Sequence, residues 1–521
     1  MRSLPPLLAR SLVALAFLGL AFLFYYRIGD APIYLAHDEA MFGVVAHDIG
    51  WHARDVDGNI LPLFMHMNGV YWNMPAHVYF TALFVRLFGT TETAIRASSA
   101  TASLVAIFLI YVFCRRVFRH RGLAMLSASL LALSPAIFID SRLSTDHHYP
   151  LIAVGLWLIC LARFFDDSDR VRWLALAGLS LGLGVYTYGA SVLLMPIYVA
   201  VTALLLLKMR VYQLRAYGAL FLSFAVAIVP FGWFILTHPG YVGDVATMYK
   251  VYDASRFNAL QGARELASWT SLGARADVYF SYFNPSMLFF SGAGSLIQST
   301  REAGFFLLSF LILLPAAVIF VLKYDVEWFA WLALVAFFAT PLAASIVDEH
   351  GAVQRVIVMA VFAAILVAYL VMRVSTESRA WVRVGVWVLV ALLPISFVRF
   401  DSDYLGDYRR RSSFYFEQNI RGALELAIEE SEHAGGSDVC ISRGINPLVD
   451  WYWKFYLRKH GVEPLESHTT YFDNPGDARN KCAPGTIVVS EIATCDQIAA
   501  TRARSPEKIL EPGGSPSFCV F

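Results

Sequence analysis

The sequence predicts a mostly α-helical, polytopic membrane bundle with juxtamembrane helices and a small C-terminal α/β domain. Three observations lead there. Of 521 residues, 58% are hydrophobic and only 16% are charged, a balance outside the soluble globular range. Apolar runs long enough to cross a hydrocarbon core of about 30 Å recur up to residue 398. Beyond Phe400 the chain turns polar and strand-like runs appear.

The runs, about eleven in number, lie near 8–26, 93–114, 122–139, 149–165, 172–188, 190–207, 216–237, 304–322, 328–346, 355–373 and 381–398. The first follows Arg2 and Arg10 as a secretory leader would. Its length, and the bulky Tyr34 in Tyr34-Leu35-Ala36, favour a retained helix. Lys and Arg of short loops stay on the cytoplasmic side. With the N-terminus inside, the inner loops collect Arg115, Arg116, Arg119 and Arg121; Arg170 and Arg172; Lys208, Arg210 and Arg215; Lys323; and Arg373, Arg379 and Arg383. The outer side then receives the first loop (27–92), turns near 140–148 and 347–354, a large loop (238–303) and the tail (399–521). "MPAHVYFTALFVRLFG", Met74 to Gly89, is short and broken by Arg86, and counting it as a span would move every later basic cluster outside. It reads as a helix lying along the outer interface.

The tail predicts a helix near 414–433 and strands at "DVCIS", "TIVVSE" and "FCVF". It holds four of the six cysteines, Cys440, Cys482, Cys495 and Cys519. In an outer domain these suggest two disulfides whose pairing the spacing leaves open. The net charge of +1 argues against a nucleic-acid partner.

Polar chemistry concentrates on the outer face. The first loop carries Asp38, Glu39, His47, Asp48, His52, Asp55 and Asp57, and the turn after the third run carries Asp140, Arg142, Asp146, His147 and His148. Acids and imidazoles on one side permit general-base catalysis or a divalent metal, for which Asp38, Glu39, Asp146 and His147 are the candidate ligands. A blander reading has Asp38 cap the helix "EAMFGVVAHDIG" while Glu39 favours its first turn. A solvated turn accounts equally for His147 and His148. Arg142 and Arg355, each near a span end, need an anion, a carbonyl or the interface.

The order of these features resembles the GT-C superfamily of membrane glycosyltransferases, specifically the dolichyl-phosphate-mannose protein mannosyltransferase and aminoarabinose transferase group. The resemblance rests on "HDEAMFGVVAHDI" after the first span and on "NMPAHVYFTALFVRLFGTTETAIRASSA", with Phe88-Gly89, Glu92 and Arg96. It continues in "LALSPAIFIDSRLSTDHHYPLIAVGLWL", with Arg142 and Tyr149, then "VYFSYFNPSMLFFSG" and "HGAVQRVIVMAVFAAI". The last has Arg355-Val356 where the family has an Arg-Tyr pair. It covers about residues 8–400 and implies a 1–398 transferase domain followed by a separate 399–521 domain.

What the resemblance implies is a polyprenyl-phosphate sugar donor, attacked in one inverting displacement at the outer face of a bacterial inner membrane. Asp38 becomes the base and Glu39 the neighbour that orients acceptor or metal. Arg142 and Arg355, with His147, His148 and Tyr149, become the donor phosphate's partners. The acceptor, whether protein, lipid or polysaccharide, stays open, as does the sugar. Two other readings compete. A transporter or flippase would show internal repeats and mid-membrane polar residues, and a ligase moving a whole glycan would carry a large acceptor domain.

Overall fold

Lipid leaves a chain no choice but to satisfy its backbone internally, and the apolar runs do so as helices. The computed structural model describes residues 6–67, 71–500 and 505–521; Arg2 lies outside them. In chain order the helices are α1 (Pro6–Tyr25), α2 (His37–His52), α3 (Pro75–Phe88), α4 (Glu92–Val117), α5 (Arg121–Ala132), α6 (Pro135–Asp140), α7 (Pro150–Asp166), α8 (Arg172–Gly184), α9 (Ser191–Lys208) and α10 (Leu214–Thr237). The large loop folds as α11 (Tyr241–Met248), α12 (Ala259–Leu266) and α13 (Trp269–Ser281), and the bundle resumes with α14 (Phe310–Lys323), α15 (Trp328–Ala344), α16 (Met359–Val374) and α17 (Ala380–Leu405). By length and composition, α4, α9, α10 and α17 are long and apolar enough to cross a membrane. Shorter apolar helices stand beside them. The chain is an integral membrane protein with several apolar spans.

Three boundaries differ from the sequence expectation, each for a local reason. The run at 122–139 is two helices, because Pro135 pushes Ser134 into extended backbone (φ −68°, ψ 124°). The freed groups are satisfied by Phe305, whose carbonyl accepts from Ser134 Oγ at 2.7 Å and from the Ala136 N–H at 3.4 Å. That use of Phe305 explains the second difference, a helix that starts at Phe310 and not at 304. Phe305 and Phe306 instead donate their N–H to Met287 and Leu288. Gly304 permits it, since a Cβ there would lie 2.5 Å from the backbone of Phe289. Third, α17 runs past 398 to Leu405, holding Tyr404 and then Tyr408 in the membrane-domain core.

The tail folds around α18 (Asp407–Arg411), α19 (Ile420–His433), α20 (Val449–His460), α21 (Pro475–Lys481) and α22 (Ile492–Ala499). A short hairpin in the first outer loop supplies β1 (Met65–Met67) and β2 (Tyr71–Asn73), and the tail supplies β3 (Val439–Ser442), β4 (Thr469–Phe472), β5 (Ile487–Glu491), β6 (Glu507–Leu510) and β7 (Pro516–Val520). The tail's mixed sheet has the order β4-β3-β5-β7-β6, with β3 parallel to β4 and β5 and β7 antiparallel to β5 and β6. Cys440 pairs with Cys482 and Cys495 with Cys519, at Cα separations of 5.9 and 6.2 Å. Cys114 and Cys160 are free and buried.

The tail does not stand apart. One apolar cluster joins Val44, Val45 and Ile49 of α2 and Val78 of α3 to Tyr452 and Phe455 of α20 and to the sheet. Two glycines make this possible. A Cβ on Gly43 would sit 2.6 Å from the Phe455 ring, and one on Gly50 would sit 2.9 Å from the Ala82 carbonyl of α3. So α2, which starts the candidate site, is clamped between α3 and the C-terminal tail.

Candidate active site

The stretch 27–36 is irregular and largely buried, which leaves its carbonyls in want of donors. Two buried guanidiniums provide them. Arg142, fully buried, donates Nε to Ala31 O (3.0 Å), Nη1 to Phe24 O (3.1 Å) and Nη2 to Tyr26 O (2.8 Å). It thereby closes the C-terminal end of α1, where a cation is favoured. Arg96 of α4, 1% exposed, donates to Pro32 O (2.8 Å) and Tyr34 O (2.6 Å) and forms a two-bond pair with Glu39 at 2.8 and 3.0 Å.

Glu39 is fully buried and accepts two further bonds, from Ala36 N–H (3.0 Å) and Ser144 N–H (3.0 Å). The structure thus sets Arg142 against backbone carbonyls and Glu39 against four donors, where the sequence reading gave them to the donor phosphate and to the acceptor or metal. Asp38 does not cap α2. The N-cap is Ala36, and Glu39 closes the first turn from its third position.

What remains exposed is Asp38. Its carboxylate is 45% exposed and lies 3.5 Å from His37 Nε2. A rigidly held first turn carries it: Tyr452 of α20 donates to Leu35 O at 3.2 Å on one side, and Glu39 anchors the other.

Facing α2 is the 140–149 turn. Asp140 accepts from both imidazoles, His147 Nδ1 at 3.1 Å and His148 Nδ1 at 2.9 Å. Burial alone would raise its pKa, yet the bonds from His147 and then His148 hold Asp140 down at about 2. His147 feels burial in the opposite sense, and the hydrogen bond and charge of Asp140, with Asp146 and Asp38, outweigh it and raise its pKa. Asp146 is buried without such a bond, its nearest His147 nitrogen 4.0 Å away. Burial, opposed by His147 and reinforced by the Asp38 charge, pushes Asp146 up to about 7. Asp38, Asp146 and His147 thus share one electrostatic neighbourhood, which extends to Tyr188, Tyr249 and Arg355.

Arg355 lies beside Tyr249, its guanidinium carbon 5.0 Å from the ring centroid, and pairs with Glu349 at 2.6 Å. It lines a cavity of about 260 Å³ with Trp72, Met74, Tyr241, Val245 and Tyr249. His148 is buried and directed to Asp140 by Nδ1. Tyr149 is elsewhere: its ring packs 5.2 Å from that of His77, and it lines a separate apolar groove of about 520 Å³ with Phe80, Leu156 and Leu183. The proposed metal set is likewise not assembled. Among the described residues, the histidine and acid ligand atoms that gather within 4.8 Å belong to His47, Asp48 and His52.

Sequence reasoning did not single out Arg96 for chemistry or give Asp140, Tyr188 and Tyr249 a role. An arginine inside an apolar helix, far from the basic pair Arg115-Arg116 at its other end, was the available signal for Arg96, since such a group requires a buried partner.

Comparison with known proteins agrees with this architecture. Residues 73–233 match the family model described as dolichyl-phosphate-mannose-protein mannosyltransferase. An undecaprenyl phosphate-alpha-4-amino-4-deoxy-L-arabinose arabinosyl transferase of Aeromonas hydrophila is 27% identical over 233 residues, 42% of this chain and 40% of that protein. Its namesake from Pseudomonas aeruginosa is 30% identical over 172 residues, 32% of this chain and 31% of that one. The matches therefore span less than half the length of these curated relatives. The fold carries further. The crystal structure of ArnT from Cupriavidus metallidurans bound to undecaprenyl phosphate superposes with a TM-score of 0.60 at 16% identity, covering 98% of both chains. The apo form of the same protein gives 0.59 at 15% identity with the same coverage. The chain thus matches the dolichyl-phosphate-mannose-protein mannosyltransferase model over residues 73–233 and has the fold of ArnT along its length.

Proposed function

We propose that this protein is a membrane glycosyltransferase that moves a sugar from a polyprenyl-phosphate donor to an acceptor at the extracytoplasmic face, with inversion and with Asp38 as general base. The observation that carries the proposal is the exposed Asp38 carboxylate on a pinned helix start, in one electrostatic neighbourhood with Arg355 at the wall of an apolar cavity. The names of the curated relatives, and the lipid phosphate bound by ArnT, support the donor class.

In this reading the prenyl chain occupies the cavity lined by Trp72, Tyr241 and Val245, and the donor phosphate meets Arg355. The phosphate is already a good leaving group, so the chain needs no acid to protonate it. The acceptor hydroxyl or amine does need a base, and Asp38 takes its proton as the new glycosidic bond forms opposite the departing phosphate. The negative charge gathering on that phosphate falls on the Arg355 guanidinium. Eleven helical segments cross the bilayer with the N-terminus in the cytoplasm, so that α2, the 140–149 turn and the tail share the outer side.

The test is transfer from a polyprenyl-phosphate sugar by purified Asp38→Asn. Turnover falls by about 10²–10⁴-fold while thermal stability matches the parent. Turnover within threefold of the parent rejects Asp38 as base.

A further inference from the structure

The far end of α2 carries a second chemical group of residues that the transfer reaction does not use. We propose that His47, Asp48 and His52 of α2, with Glu463 of the soluble domain, bind one divalent transition cation of the zinc class, and that this ion ties the soluble domain to the helix bearing Asp38.

The ligand atoms of His47, Asp48 and His52 lie within 4.8 Å of one another. Zinc bonds of about 2.0–2.1 Å place tetrahedral ligands roughly 3.3 Å apart, so the set must draw in by about 1.5 Å. His52 can supply that movement, because it is exposed on the last turn. His47 is already fixed. Its Nδ1 lies 2.6 Å from Thr90 Oγ1, a buried hydroxyl. A histidine bound to metal through Nε2 keeps its proton on Nδ1 and gives it to a neighbouring acceptor, and Thr90 stands where that acceptor belongs.

On the other side of the ring, Nε2 looks toward Glu463 Oε1 at 3.6 Å. That is beyond hydrogen-bond reach. In the tautomer that Thr90 accepts, two lone pairs face each other across the gap, and a cation between them converts the repulsion into two bonds. Asp48 is held as a ligand carboxylate should be. Arg458 donates to one of its oxygens at 2.9 Å and to the other at 3.1 Å, which leaves each oxygen a second lone pair. The guanidinium does not make the place cationic, because Glu466 lies 3.8 Å from Arg458 and Asp48 and Glu463 add two more carboxylates.

Two imidazoles and two carboxylates favour zinc over magnesium or calcium, which take oxygen sets. His47 is nine residues along α2 from Asp38, about 13.5 Å at the helical rise, so the ion is remote from the reacting atoms. It bridges α2 to the segment after α20, across the interface where Gly43 meets Phe455.

The experiment uses the full chain in detergent, stripped with chelator and titrated with zinc chloride. Retained metal is counted by elemental mass spectrometry after desalting, and thermal unfolding is followed in parallel. One zinc per chain and a raised Tm are expected. His52→Ala, a surface change that leaves the core intact, loses the retained zinc and the Tm rise. Thr90→Val weakens zinc binding about 10- to 100-fold. His468→Ala, an exposed histidine outside the set, keeps both. No retained zinc in the parent chain, equal retention by His52→Ala, or the same Tm rise with magnesium overturns the proposal.

Discussion

Replacing Glu39 by Gln should unfold the site, not simply slow it. The carboxylate is fully buried and takes two bonds from Arg96 and one each from the Ala36 and Ser144 N–H groups. Glutamine keeps the shape but removes the charge, stranding a buried guanidinium, and breaking one side of a buried pair costs about 3–5 kcal/mol. Its amide nitrogen also accepts nothing, so one of the two N–H groups loses its partner. Converting both residues to apolar ones often restores stability at a buried pair. Here it does not, because Arg96 also serves the Pro32 and Tyr34 carbonyls. The double variant Glu39→Met/Arg96→Met leaves those two carbonyls and two N–H groups unpaired, at about 1–3 kcal/mol each. Equilibrium unfolding in mixed micelles, followed by tryptophan fluorescence, measures both. Glu39→Gln within about 1 kcal/mol of the parent, against the 3–5 kcal/mol expected for a stranded buried charge, would refute the assignment of Glu39 to structure. So would a double variant as stable as the parent.

Three other outcomes are expected. Asp146 has its pKa raised from 3.8 to about 7, so the folded state holds a proton that the unfolded chain has shed. Stability from this residue therefore falls as pH rises from about 4 to 7 and is level above; Asp146→Asn should be neutral near pH 4 and stabilising at pH 8, read from paired unfolding curves. Arg355→Ala should raise the KM for the lipid-phosphate donor about 10- to 100-fold, the equivalent of one charge-assisted contact, with Arg355→Lys intermediate; an unchanged KM would remove Arg355 from phosphate recognition. A cysteine at Ser255, in the large loop, should react with an impermeant maleimide in intact cells, whereas one at Arg210, between α9 and α10, should react only after permeabilisation. The reverse pattern would invert the topology.

The parts of this protein that could be read without coordinates are those on which solvent acts residue by residue. Lipid demands length and apolarity of every crossing segment, and both are visible in a string of letters. The short helix α3 was visible as well, because Arg86 interrupts its apolar run. Arg142 marks where that legibility ends. An arginine at a span mouth must meet an anion or a carbonyl, and composition cannot choose between them. The carbonyls that claim it belong to Phe24, Tyr26 and Ala31, more than a hundred residues upstream. The same distance hid the cavity beside Arg355, which draws on Trp72 and Tyr249.

The adjacent acids in "AHDEAMF" show how a local pattern and a remote contact combine. Successive residues on an α-helix point about 100° apart, so the two acids meet different surroundings. Which of them is buried is not legible from the spacing, because α2 buries every residue from Glu39 to Ile49 and leaves Asp38, in its first turn, partly exposed. Arg96 decides it. Its guanidinium is buried in α4 and can be neutralised only by a carboxylate that turns inward, and Glu39 is the acid whose side chain reaches both it and the N–H of Ala36. Asp38 is left facing outward, held by its neighbour's bonds and with its carboxylate 45% exposed. One acid spends its lone pairs fixing the helix start, and this is the condition under which the other can keep a defined position and still accept a proton.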